Sequence, residues 1–488
     1  MSPAHRSPER RWLVLALVVV VVVGVGVVAG VRGASTPPSA PATPSALVGA
    51  PDAESTAWYC TGQSSASGLA PGFVVLTNTS ARTVGAIVTA VTDSDAVVHT
   101  AVSVPARGVA VPSIPPLSSG SWEGEMVTVS GGGVAVTQVV HGTSGWSQAP
   151  CQSTTAADWY FPGGTTSNSD PLYISLLNPT STPVVVDLSF ITPTGSVHPI
   201  NYQGIVLQPG QVEVENVASE VQSASTVSTV VATRTGRVVA SEVQGFSGPS
   251  AGLALVPGAA RPEPHWSIPQ SEDVDGGSSE IDVFNPGAAP ESVTVHLRLA
   301  SGPLAPLSDT VAPHSTWALA TGAQTRIPHG ATYSAVIDAT GGPGVVVGRT
   351  ASMPGSSPAP QAGMAMAVDA ASIASPTDEW LVPPPGTSAS PAVTGVVLNS
   401  LALTNTSGAA ESYTVYAVTS SGERAISTAT VPGGTTGSVS GAPLQNVGFD
   451  PIVVRSSGPM AVSEDAGPSG GIGVVTMPGI PLAAAIGL

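Results

Sequence analysis

Residues that could carry chemistry are sparse in this chain, and their spacing argues against a catalytic centre. Two G-x-S-x-G matches occur, Gly248 to Gly252 around Ser250 and Gly467 to Gly471 around Ser469. In a hydrolase this pattern is a strained strand-to-helix turn that presents a serine nucleophile. No helical period follows either serine. Each match instead follows a Ser-Glu pair, Ser241-Glu242 and Ser463-Glu464, so both read as recurring hairpin turns. The eight histidines are scattered, without the i, i+4 spacing of zinc ligands. Asp93-Ser94-Asp95 resembles the D-x-D of sugar-nucleotide enzymes, but it sits in a turn where nucleotide sugars are not expected.

Carboxylates cluster once, as Glu272, Asp273, Asp275, Glu280 and Asp282. Hard oxygens at that density are what calcium takes. The spacing is not that of an EF-hand, however, and a solvated acidic loop is the commoner reading. The expectation is a chain with no catalytic residues, no cofactor and no metal, these five residues being the ones a calcium ion would use.

The elements that must position these residues recur. Trp58, Trp159, Trp266 and Trp380 each open a unit, and Asn78, Asn178, Asn285 and Asn405 each end its first apolar strand. A second strand follows, as in VVVDLSFIT, where Val184, Val186, Leu188 and Phe190 alternate with Val185, Asp187 and Ser189. That period of two puts one set on each face of a sheet. Turns centred on proline and glycine, such as Gln208-Pro209-Gly210, separate the strands. A fixed order repeating at about 100 residues argues for tandem domains rather than a short solenoid repeat. Because a tryptophan opens every unit, those four read as core plugs. Trp122, Trp146 and Trp317 do not recur and are the candidates for ligand recognition.

The 488 residues are 42% hydrophobic and 9% charged, with 55 Gly and 47 Pro. Residues 1–11 form a basic tail, expected to be cytoplasmic. Residues 12–31 lack charge and are long enough to cross the hydrocarbon core, about 30 Å at about 1.5 Å per residue. Arginines lie mostly before this run, which puts the bulk of the chain outside a cell membrane as a single-pass signal anchor. A cleaved signal peptide is the competing reading. Residues 32–57 are a Pro-rich, disordered tether. Four immunoglobulin-like β-sandwich domains are then expected at 58–152, 153–261, 262–354 and 380–488, with a linker at 355–379.

Cys60 and Cys151 are the two cysteines and bracket the first unit. In an exported chain such a pair most often forms a structural disulfide. Closing a loop of about 90 residues stabilises by on the order of 4 kcal/mol in the chain-entropy model. A reactive thiol would need a C-x-x-C pair or an activating cation nearby. Beyond residue 32 there are 30 acidic residues against 10 arginines, a net charge of −20. This disfavours nucleic acid as a partner.

Several stretches together carry a resemblance: the Val-rich run after Arg10-Arg11, the Pro tether, WYC at 58–60, APC at 149–151, DWYFPGG at 158–164, LLNP at 176–179 and GRVVASEVQGF at 236–246. They resemble the actinobacterial secreted, membrane-anchored family known as domain of unknown function 5719. The family has no assigned activity or catalytic residues to carry over. Its members are often encoded near a large envelope glycosyltransferase, which implies a role in cell-envelope polysaccharide assembly. The expected function is a non-catalytic extracytoplasmic scaffold or accessory protein, with an envelope glycosyltransferase or glycan as partner. The alternative is a polysaccharide-binding array of β domains.

Overall fold

The computed structural model describes residues 46–483 except 116–118, 144, 248–250, 273–277, 355–359, 367, 370–377, 388–395 and 469–474. Each sequence unit supplies two sheets. In unit one, the first runs Thr56–Ser64, Trp122–Val129, Val84–Thr92, Val97–Val104, each strand antiparallel to the next. The second runs Gly145–Pro150, Val134–Gly142, Gly72–Asn78, Gly108–Ala110. The same pair of strand orders recurs in the other three units, giving eight blades of four to six strands. The second blades of units two and three are joined edge to edge by a short parallel pairing of Ala251–Pro257 with Pro360–Met366. That second strand falls in the stretch expected to be a linker.

These sheets form an eight-bladed β-propeller, which corrects the expectation of tandem immunoglobulin-like sandwiches. A string of independent sandwiches would bury one face of each sheet and wet the other. Here every residue of Val239–Phe246 and of Gly145–Pro150 is buried. Both faces are covered because each sheet packs on its partner within the unit and on a sheet of the next unit. Val91 of unit one packs with Leu177, Val212 and Val239 of unit two. Ile191 of unit two joins the core of unit three. The strand His265–Glu272 of unit three meets Val396–Asn405 and Met460–Pro468 of unit four. Leu381, Val453 and Ile480 of unit four join Val134 and Ala135 of unit one. The edge strands Gly145–Pro150, Ala251–Pro257, Pro360–Met366 and Val475–Pro478 approach one another in that cyclic order. The period of two that suggested sandwiches belongs to strands further out in the blades, such as Val184–Thr192 and Val97–Val104.

The expected single-pass anchor, with the tail and most of the tether, lies outside the described residues. Among the described residues no helix is long and apolar enough to cross a membrane. The anchor and the membrane localisation drawn from it therefore have no structural support, and the expectation is corrected on that ground.

The two sequence markers of the unit have structural roles. Trp58, Trp159, Trp266 and Trp380 are all buried. The indole N–H of Trp159 donates to the Val238 carbonyl at 2.8 Å, and that of Trp266 to Val345 at 2.7 Å. Each repeated asparagine is fully buried and ties a turn to a distant strand. The amide of Asn178 donates to the carbonyls of Thr182 and Leu207, while its oxygen accepts the Thr180 amide. Asn78, Asn285 and Asn405 repeat the pattern with Val104, Val311 and Val431 as the distant acceptors. The predicted disulfide joins Cys60 to Cys151, linking the two blades of unit one.

Candidate functional site

A structural register runs through the four units. The residue four before each repeated asparagine pairs across the sheet with a buried polar residue. Val74 faces Gln138, Ile174 faces Glu242, Ile281 faces Arg349 and Leu401 faces Glu464. All four polar residues are buried. Their environments differ. Gln138 donates to Gln63, which in turn donates to Glu123 at 3.1 Å. Both carboxyl oxygens of Glu242 lack a hydrogen-bond partner among the described residues, and burial pushes its pKa up to about 8. Glu464 is held well above the usual carboxylate range by burial and by the neighbouring charge of Asp465, and its Oε1 is unpartnered. An unpaired carboxylate is costly to keep charged in such surroundings, which is why burial shifts both groups upward.

Glu464 lines a recess of about 350 Å³ within unit four. Four segments form it: the chain leaving Glu379–Val382 through Pro383 to Pro385, the strand Val396–Asn405, residues 441–450 with the short helix Ala442–Gln445, and the strand Met460–Pro468. Pro383, Leu444, Phe449 and Ile452 supply apolar wall, while Asn399, Gln445, Asp450 and Glu464 supply polar groups. Burial raises the Asp450 carboxyl, with Arg424 acting in the opposite direction. An apolar cleft of this size with a few converging polar groups is the form of a small-ligand site. No Lys, Arg or His is among its described lining residues, so the site is suited to a neutral or cationic group rather than an anion. Sequence reading had flagged the Ser463-Glu464 pair as a repeat feature but not Asn399, Gln445, Phe449 or Asp450. Nothing in their spacing announces them, because the four segments converge on the recess only in the folded unit.

The other carboxyl groups are structural or lie apart. Glu125 is fully buried, with both oxygens unpartnered among the described residues, and burial together with Glu123 keeps it well above the ordinary range. Of the calcium candidates, Asp273 and Asp275 and the side chain of Glu272 lie outside the described residues. Glu280 and Asp282 sit on the strand Ser278–Asn285. Asp282 is buried, raised by burial and by Glu280, and its carboxyl abuts Gly163. A Cβ at Gly163 would come within 2.4 Å of the Asp282 oxygen, and the φ of +116° there also favours glycine, which accounts for one glycine of the DWYFPGG stretch. No group of three or more metal-type ligands occurs among the described residues. Ser250 and Ser469 lie outside them as well.

The tryptophan candidates separate. Trp146 is buried beside Val75 and Val139. Trp122 is half-buried, with its ring 4.9 Å from that of Tyr173 across units one and two. Trp317 is half-buried against the core of unit three. One constellation escaped sequence reading: His265 and His296 both reach Asp338, at 2.7 and 3.1 Å, on an exposed face of unit three. The strands pair His265 and Thr294 with Asp338, a juxtaposition that linear spacing does not show.

A solved structure described as a tetra-tandem repeat in the extending region of a large adhesion protein aligns at 11% identity over 84% of this chain and 94% of its own. Its TM-score of 0.09 carries no argument about the fold. No curated protein matches the sequence. The profile of the family of unknown function DUF5719 matches residues 110–442, most of the repeat region, and the chain belongs to that family.

Proposed function

We propose that this chain is a non-catalytic binding protein of the bacterial cell envelope, a closed propeller that holds a glycan group during polysaccharide assembly. The recess in unit four carries this reading: its volume of about 350 Å³ suits one sugar-sized group, and it offers one aromatic ring and four hydrogen-bonding side chains. Sugars are commonly held by such combinations of apolar face and polar edge. The Cys60–Cys151 disulfide supports an oxidising, exported setting. The test is titration of the full-length protein with envelope oligosaccharides, beside a Leu444→Trp variant that fills the recess. Binding that survives the filled recess would move the glycan elsewhere, and no binding at all would sink the reading.

A scaffold or accessory role toward an envelope glycosyltransferase is the second reading. Large apolar side chains stand exposed on the outer parts of units one and two: Ile87 at 53%, Val97 at 52%, Val206 at 51% and Ile200 at 83%. Crosslinking in intact cells with photoreactive groups at Ile87 and Ile200 tests it. A specific enzyme crosslinked at both positions supports docking, and its absence from both counts against it.

A further inference from the structure

We propose that the strand Val97–Val104 is a pairing edge for a second copy of this chain, the two strands lying antiparallel across a two-fold axis at Thr100. This is the terminal strand of the first blade of unit one, and it pairs with Val84–Thr92 without a register shift. Among the described residues no strand lies on its other side. Apart from that ladder, no backbone group of residues 98–103 hydrogen-bonds another described backbone group. An open row of N–H and C=O groups is a template for a further strand, and proteins usually blunt it with charge, proline, bulges or short strands.

The corresponding edges of the other units are blunted. In unit two the edge is split into Gly195–Val197 and Gln203–Leu207 by Pro199 and a short 3-10 turn, and its ladder shifts register between Val186 and Asp187. In unit three it is split into Gly302–Pro303 and Leu307–Val311, with Pro306 between them and Asp309 on the second piece. In unit four Gly422–Val431 is continuous, but it carries Glu423 and Arg424, and its ladder shifts between Val415 and Tyr416. The unit-one strand, VVHTAVSV, has no proline, Asp, Glu, Lys or Arg and no bulge.

Ladder geometry and sequence select another copy as the occupant. The Thr92 amide donates to the Ala96 carbonyl and closes the hairpin. Hydrogen-bonded and non-bonded pairs alternate from there. Val98, Thr100 and Val102 therefore direct their backbone groups at Val84–Thr92, while Val97, His99, Ala101 and Ser103 aim theirs outward. Antiparallel pairing about Thr100 sets Val97 against Ser103 and His99 against Ala101, which uses all four outward residues. On the other face the same register sets Val98 against Val102 and Thr100 against its own copy, pairs that favour a sheet. Those three side chains are half-buried in the single chain, and the seam would cover them further. The chain carries a net charge of −17, yet no two carboxylates meet here. Because the same surface serves both copies, the assembly closes as a dimer.

The experiment is analytical ultracentrifugation of the full-length protein over a range of concentrations. Wild type should shift reversibly toward twice the chain mass as concentration rises. Ala101→Pro removes an outward amide and leaves the inward ladder alone, so association should weaken by at least about tenfold. Circular dichroism checks that this variant keeps its fold. Cysteine crosslinking reads the register independently. Directly opposed residues of a non-bonded antiparallel pair lie about 4.5 Å apart at Cα, within disulfide reach. Thr100→Cys should thus form a reducible covalent dimer under mild oxidation, and Ser103→Cys, far from its own copy, should not. A wild type that is monomeric at every concentration overturns the proposal and leaves the edge to a foreign strand. Dimers that persist in Ala101→Pro, or that Thr100→Cys does not crosslink, place the contact elsewhere and overturn it equally.

Discussion

The amide of Val48 donates a 3.0 Å hydrogen bond to the carbonyl of Pro481, and the amide of Ala483 returns one of equal length to Val48. The two ends of the repeat region thus hold each other, with Val48 only 1% exposed among side chains of units one and four. This contact closes the ring where the chain itself cannot. Val48→Asp would bury a charge with no partner, and should lower stability by at least about 2 kcal/mol. Chemical denaturation measures it. An unchanged midpoint would show that closure does not depend on this pairing.

The repeated asparagines give a second expectation. In Asn405→Ala the carbonyls of Ala409 and Val431 lose their donors, which now stand at 2.7 and 2.9 Å. Leaving buried carbonyls unpaired costs about 1–3 kcal/mol. Asn405→Asp should be worse than alanine, because a carboxylate would face the same two carbonyls with nothing to donate. The ranking wild type, alanine, aspartate in thermal melts is the check, and aspartate melting above alanine would refute the assigned geometry.

Those asparagines and tryptophans also mark how much of the architecture the sequence could reveal. The units, their order and the all-β class are legible because Asn178 and Trp159 must be where they are to satisfy buried carbonyls such as Leu207 and Val238. How the units associate is not legible. Val239–Phe246 is buried on both faces, yet its alternation of Ala240, Glu242 and Gln244 with Ser241 and Val243 looks like a strand with one polar face. Nothing local to Glu242 and Gln244 says that a second sheet covers them. The recess suffers the same limit: Phe449, Asp450 and Glu464 acquire meaning only when residues 441–450 fold over the strand Met460–Pro468.

The disulfide offers a test confined to unit one. Cys60 and Cys151 are separated by 91 residues, and cross-linking them restricts the unfolded chain. Replacing both with alanine should cost about 4 kcal/mol in the chain-entropy model. Comparison of the double variant with wild type, with and without reductant, isolates the effect. A reductant that shifts wild type and variant alike would show that the bond contributes nothing.

Buried carboxyl groups set the pH dependence of stability. Glu242 has a folded pKa of about 8 against an ordinary value of 4.5. Between those values the folded protein keeps a proton that the unfolded chain has released. Stability therefore falls as pH rises through this window, by about 1.4 kcal/mol per unit for one such group, and levels off above the folded pKa. Glu125, Asp282 and Glu464 are raised as well and act in the same direction. Asp187 and Glu423, lowered by hydrogen bonds from Arg234 and Arg455, act oppositely and add stability that is lost at the acid end. The melting temperature should accordingly peak on the mildly acidic side and decline toward pH 8. Glu242→Gln keeps the shape of the side chain without its proton equilibrium, so its melting temperature should decline less steeply over the same range. Parallel pH profiles for the two proteins would mean that Glu242 reaches water or a counter-charge in solution, and that the blades of unit two pack less tightly around it than the structure shows.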